Sequence, residues 1–394
     1  MPHSNNALMK VYNRFPITFT HGQGVYVFDD TGKRYFDAGS GIAVNAFGHC
    51  HPDIVESLYT QSKKLWHISN LYYSQPQLDL ASLLCEKSFA DYVFFTNSGA
   101  EAVECALKTA WRYFHALGQT NRRKIITFKG AFHGRTHLCI SATGTKTDDG
   151  YGSVTDDFVI LPFGDHYALE QAMKNPDTAA VMIEPIQGEG GVRSVPHHCL
   201  QALRKMCDEY GVLLICDEIQ SGMGRTGTLF AFEHAGIVPD ICTSAKGVAG
   251  GFPLGACLVS ERASLGMNVG THGSTYGGNP LGCAVGLTAL KMITDPDFLN
   301  NVCITGNDLK SKLQDLKQAY PHIIKDIRGA GFMLGIGLHD NFNARQMAEI
   351  LLDAGLIVIP ASDNVLRLLP PLIITPQHNI EIIHLLDTSF KAIK

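Results

Sequence analysis

The pattern of apolar and polar positions changes character twice along the chain. Over 22–37 the strand formers Val25, Val27, Tyr35 and Phe36 flank a turn at Asp29-Asp30-Thr31-Gly32, which predicts short antiparallel strands. From about 52 to 291, short apolar runs alternate with glycine-rich turns and helical patterns, as in a parallel sheet covered by helices on both faces. The runs at 93–95, 124–128, 179–184, 212–216, 240–244 and 255–260 are rich in Val, Ile, Leu or Phe and predict buried strands. Between them, 101–115 puts Ala102, Val103, Ala106, Leu107, Ala110, Trp111 and Phe114 at helical spacing, and 200–210 repeats the pattern. After about 295 the helical period returns, followed by strand-like text at 327–338 and 357–369. The expected fold is α/β, with a large unit over 52–291 and a smaller α/β lobe built jointly from 1–51 and 292–394.

Length supports two units, since 394 residues exceed what one compact core holds, and two units leave a cleft. A chain 45% hydrophobic and 18% charged, with 39 glycines, has the balance of a globular α/β enzyme. The net charge of −5 and the scattered basic residues give no field for a nucleic acid backbone. Eleven cysteines, an odd count without paired CxxC spacing, read as reduced thiols. The opening residues lack the apolar core of a leader, and no run reaches the ~18 apolar residues of a membrane span, so a cytoplasmic protein is expected. His49-Cys50-His51 does not read as a metal site, because three adjacent side chains cannot readily face one ion.

Three elements can carry chemistry. Asn97-Ser98-Gly99-Ala100-Glu101 follows a strand and opens a helix, so it is either an ordinary N-cap or a cradle for an anion such as a phosphate. The run 213–216 ends on Asp217, again an N-cap or an acid poised at a strand's ligand-binding end. The next run leads to Lys246, followed by Gly247, Gly250 and Gly251; this is an exposed loop lysine or an amine in use, since a buried one is costly unless paired. An amine for an aldehyde, an acid for a ring nitrogen and a helix start for a phosphate together suit pyridoxal 5′-phosphate. Phe132, in Gly130-Ala131-Phe132-His133-Gly134-Arg135, could stack on its ring or simply be core, and Arg135 could clamp a carboxylate.

These stretches, with Gly41-Ile42-Ala43-Val44-Asn45, Gly48-His49-Cys50-His51-Pro52, Leu65-Trp66-His67-Ile68-Ser69-Asn70, Glu184-Pro185-Ile186-Gln187-Gly188-Glu189-Gly190-Gly191, 217–225 and His272-Gly273-Ser274-Thr275-Tyr276-Gly277-Gly278-Asn279-Pro280, resemble the class-III aminotransferases of fold type I. Within them the acetylornithine aminotransferases are most similar, over nearly the whole chain. The resemblance implies a large domain with a mostly parallel seven-stranded sheet between helices, plus a small domain from both termini. It implies that Lys246 binds the cofactor aldehyde covalently, that Asp217 pairs with the ring nitrogen, and that Gln220 approaches the phenolic oxygen. By the same resemblance Ser98, Gly99 and Ala100 hold the phosphate, Phe132 stacks on the ring, and Thr275 reaches the phosphate of a neighbouring subunit with Ser274 beside the substrate. A homodimer with shared sites follows. Threonine is common in relatives where this chain has Ala100, which removes a hydroxyl and keeps the backbone donor.

For substrates, the resemblance gives Arg135 the distant carboxylate of either partner and Arg367 the α-carboxylate of glutamate. Glu189 neutralises Arg367 when an ω-amine is bound. The implied reaction passes the terminal amine of N2-acetyl-L-ornithine to 2-oxoglutarate, as in arginine biosynthesis. N-succinylornithine, N-succinyl-diaminopimelate, ornithine and 4-aminobutyrate are the alternative donors. A non-catalytic or isomerase member of the fold is the alternative from another class.

Overall fold

The computed structural model describes residues 7–144, 150–151 and 155–393. Residues 1–6, which open the stretch read above as lacking a leader, lie outside the described residues. The central element is a seven-stranded sheet in the order Tyr92–Thr96, Gly255–Val259, Ile241–Ser244, Leu213–Asp217, Thr178–Ile183, Lys124–Phe128, Phe158–Leu161. Only Gly255–Val259 runs against its neighbours; the other pairings are parallel. Strands 178–183, 213–217, 241–244 and 255–259 are buried at every position, which explains their unbroken apolar runs.

Helix Gly99–Ala116 covers one face with Ala102, Val103, Ala106, Leu107, Ala110 and Phe114, all buried. Its N-cap is Ser98, whose hydroxyl accepts from the Glu101 N–H at 3.3 Å. Helix Pro280–Ile293 is buried on most of its surface and packs with Gln75–Lys87 and Pro52–Ser62. The strand Phe158–Leu161 has no counterpart among the apolar runs read from sequence. It is four residues long, half-buried throughout, and lies at the sheet edge, where an incomplete apolar environment demands less of the sequence.

Apart from the short pair Ile186–Gln187 and Arg193–Ser194, the remaining strands among the described residues form two four-stranded sheets. Phe19–Gln23, Tyr26–Asp29 and Arg34–Asp37 make the antiparallel meander expected around the Asp29 turn, and Leu356–Ile357 joins it in parallel opposite Phe36 and Asp37. A second antiparallel sheet takes Ile324–Ala330, Met333–Leu338, Val365–Leu368 and Ile359–Ala361. The two ends of the chain therefore share a sheet.

After the meander comes an unusual turn, Ser40–Ala43, in which four consecutive residues have positive φ, from 48° to 64°. Such a conformation costs non-glycine residues on the order of 1–2 kcal/mol each. Asp37 offsets this cost: its Oδ1 accepts from the N–H groups of Gly39 and Ser40 at 3.0 and 2.8 Å, and its Oδ2 lies 2.8 Å from His49 Nε2. Val44 is thereby delivered to the central cavity. The residues 49–51 do not converge, since His49 faces Asp37 while Cys50 is exposed.

Candidate active site

Ligands of open α/β sheets sit beyond the carboxyl ends of the strands, where a cavity of about 430 Å³ is found here. This size falls within the roughly 300–1,000 Å³ of small-molecule sites. At its floor Asp217, the last residue of its strand, is almost fully buried, and its carboxylate is held from three sides. Thr243 Oγ1 and the Ile219 N–H each donate to Oδ1 at 3.1 Å, and His133 Nδ1 lies 2.7 Å from Oδ2. An ionised carboxylate only accepts, so the Nδ1 proton belongs to the imidazole. Burial pulls the His133 pKa down, but the hydrogen bond to Asp217 and the charges of Asp217 and Glu184 outweigh it and raise the pKa above the ordinary value. Its Nε2 is buried without a partner among the described residues. Glu184, just past the neighbouring strand, accepts from the Phe132 N–H at 3.1 Å, and burial pushes its carboxyl up to about 8.

Lys246 opens a short turn after the strand Ile241–Ser244, with a left-handed φ of 49° that a lysine rarely adopts. Its amine faces the cavity, and its pKa falls to about 8, first through desolvation and then through the positive charge of Arg367. A lowered pKa leaves a larger neutral fraction near neutrality, which is the nucleophilic form. The reaction of Lys246 with a small aldehyde reagent is therefore expected to accelerate with pH through about 8. Arg367→Gln removes a positive neighbour, makes the ammonium easier to keep, and should move that limb to higher pH. A limb at the ordinary lysine position in the parent would contradict the assignment.

The opposite wall is suited to an anion. Ser98, Gly99 and Ala100 start the helix Gly99–Ala116, whose first-turn N–H groups lack carbonyl partners within the helix. Phe132 and Arg135 close this side, with the guanidinium carbon 5.4 Å from the ring centroid. Gly134, at φ 123°, passes so near that a Cβ would stand 2.7 Å from the Ala100 Cβ, so the residue after Gly99 has little room to grow toward this loop.

At the third side, Arg367 is completely buried on the strand Val365–Leu368. Its Nη2 donates to Glu189 Oε1 at 2.8 Å and its Nη1 to Gln220 Oε1 at 2.9 Å, while Nε has no partner among the described residues. Glu189 is partly exposed, so the pair joins a fixed cation to an acid with access to solvent.

A family model, Aminotransferase class-III, matches residues 8–390. The chain is a class-III aminotransferase. It is 48% identical over 391 residues to acetylornithine aminotransferase 2 of Caulobacter vibrioides, covering 99% of this chain and 96% of that protein. It is 43% identical over 388 residues to the acetylornithine aminotransferase of Caldanaerobacter subterraneus subsp. tengcongensis, covering 98% of both. Among solved structures, the ornithine aminotransferase of Toxoplasma gondii ME49 superposes with a TM-score of 0.94 at 31% identity, covering 98% of this chain and 93% of that one. The N-acetylornithine aminotransferase of Stenotrophomonas maltophilia K279a gives 0.85 at 37% identity, covering 97% of both.

Of the residues singled out from sequence, Ser98, Gly99, Ala100, Phe132, Arg135, Asp217, Gln220 and Lys246 line the cavity of this aminotransferase. Arg367 reaches it through Gln220, and Glu189 through Arg367. Gln220, on the cavity wall, accepts from Arg367 Nη1. Ser274 is half-buried outside the cavity, accepting from the Gly277 N–H at 2.9 Å and from Asn97 Nδ2 at 3.4 Å, and Thr275 is exposed. Sequence reasoning missed His133 and Glu184. Glu184 ends an apolar run as Asp217 does, and the same rule would have found it. His133 has no such signal, because its partner is distant in sequence.

Proposed function

We propose that this chain transfers the terminal amino group of N2-acetyl-L-ornithine to 2-oxoglutarate, giving N-acetylglutamate 5-semialdehyde and L-glutamate, by a ping-pong reaction of arginine biosynthesis. The observation that carries the reading is the buried Arg367 paired with the partly exposed Glu189 beside the Lys246 cavity. A donor that reacts at a terminal amine has no carboxylate at the reacting carbon, so it needs the guanidinium neutralised. A dicarboxylate needs it free. Acetylated ornithine is favoured as donor by the names of the relatives that match over nearly the full chain.

Pyridoxal phosphate fits the cavity: an amine of lowered pKa, a buried acid, an aromatic face and a helix start surround one space. When bound, it supplies an electron-withdrawing ring that accepts the electron pair left on the substrate carbon. Ser98, Gly99 and Ala100 would hold its phosphate and Phe132 its ring face. Asp217, oriented by His133 and Thr243, keeps a proton on the ring nitrogen. The Lys246 Nζ takes the proton from the amine-bearing carbon of the donor and later delivers one to the reacting carbon of 2-oxoglutarate. Arg135 receives the distant carboxylate in both halves.

The same proposal takes the units as 1–51, 52–291 and 292–394 and pairs two copies of the chain in the cytoplasm, with Thr275 and Ser274 completing the partner's site. Among the described residues no helix is long and apolar enough to cross a membrane. Steady-state rates with acetylated ornithine, its succinylated analogue, N-succinyl-diaminopimelate, ornithine and 4-aminobutyrate test the donor. The acetylated compound should give the highest kcat/KM, and a higher value for free ornithine would replace it. Consumption of 2-oxoglutarate separates the reaction from an isomerisation. Glu189→Ala should lower the ratio of donor to glutamate kcat/KM roughly tenfold, in line with the ~1–3 kcal/mol cost of leaving a buried donor unpaired. An unchanged ratio would remove the switch.

A further inference from the structure

The segment 188–192, which carries Glu189, is gripped from several directions at distances only glycine permits. A Cβ on Gly188 would fall 2.0 Å from Gln220 Oε1, on Gly190 2.6 Å from the Gly130 carbonyl oxygen, and on Gly191 2.7 Å from the Ser362 carbonyl oxygen. The Ser362 N–H donates to the Glu189 carbonyl at 3.1 Å. Val192, buried at a left-handed φ of 54°, sits against Gly329 and Gly335, where added Cβ atoms would lie 2.9 and 3.0 Å from it. Gly335 is the register partner of Arg367. Both halves of the Glu189–Arg367 pair are thus tied to one hairpin, 359–368.

One side chain closes this arrangement from outside. Arg328 Nη1 donates to the Gly191 carbonyl at 3.2 Å and to Asp363 Oδ2 at 2.7 Å. Its Nε and Nη2 form a fork with Asp326 at 2.6 and 2.7 Å. Asp363, at the left-handed tip of the hairpin, also lies 3.6 Å from Arg193 at the far end of the Glu189 segment. A planar guanidinium meets this set of acceptors from fixed directions, which an ammonium cannot do.

We infer that Arg328, braced by Asp326 and Asp363, is a positioning residue that fixes the Glu189 main chain against the Arg367 hairpin, so that only the Glu189 side chain moves between substrates. This rests on the substrate switch proposed above. Without the brace the segment drifts, Glu189 no longer neutralises Arg367 on demand, and the amine donor loses while the dicarboxylate does not.

Arg328→Ala in the cofactor-loaded enzyme should lower kcat/KM for acetylated ornithine about five- to tenfold and leave that for 2-oxoglutarate nearly unchanged. Arg328→Lys should not restore the ratio, and Asp363→Asn should shift it in the same direction by less. In a Glu189→Ala background Arg328→Ala should change the ratio no further, because it acts through that carboxylate. Equal losses for both substrates, or an additive double variant, would overturn the inference and leave Arg328 a stability residue. An unchanged ratio in Glu189→Ala alone would instead overturn the switch itself. If Arg328→Ala fails to fold, Asp363→Asn and its double variant with Glu189→Ala carry the same decision.

Discussion

Replacing Lys246 with alanine is expected to lower kcat by about 10⁴-fold or more, since one change removes both the covalent anchor and the proton-carrying base. The substitution is chemically narrow. Ser98, Gly99, Ala100, Phe132 and Asp217 stay where they are, so pyridoxal phosphate should still bind by its phosphate and ring, without the visible absorbance of a lysine adduct. Folding should not suffer, because the lysine holds a left-handed backbone and a desolvated amine, neither of which stabilises the chain. The decisive measurements are single-turnover rates with the donor and the absorbance spectrum after dialysis. A variant that kept the adduct band, or lost less than about tenfold in rate, would remove Lys246 from the chemistry.

Asp217→Ala is the second large effect, roughly 10²–10³-fold in kcat with little change in KM, because a charge aimed at the ring nitrogen matters most when electrons flow into the ring. The structure adds a consequence for His133. With the carboxylate gone, burial is opposed by the Glu184 charge alone, and the pKa of that imidazole falls from its raised position. Asp217→Asn separates charge from shape, since the amide keeps the contact with Thr243 and removes the anion. If Asn is nearly as slow as Ala, the charge carries the role. If Asn restores the parent rate, Asp217 only orients its neighbours.

Much of this architecture was legible in the sequence because burial on both faces imposes continuous apolar runs. Leu213–Asp217 and Ile241–Ser244 announce themselves in this way, and the ionisable groups that follow them stand out against that background. Phe158–Leu161 escaped because an edge strand is only half enclosed. The site divides along a similar line. Asp217 and Lys246 are visible as charges at strand ends, whereas the bond between His133 and Asp217 joins positions whose proximity only the sheet creates. The left-handed turn Ser40–Ala43 has one glycine among four residues, so its conformation is imposed by Asp37 and the surrounding main chain and leaves almost no mark on composition.

The pairing of Leu356–Ile357 with Arg34–Asp37 brings together the two ends of the polypeptide. Contacts so distant along the chain form slowly, because the intervening loop must be closed before they repay its entropy. The large sheet needs no such wait, its strands arising from one continuous stretch that leaves the ribosome well before the strand Val365–Leu368. A nascent chain can therefore organise the lysine and its acid while the guanidinium of Arg367 is still to be made. In the proposed reaction, reactivity is assembled early in synthesis and discrimination between substrates arrives last.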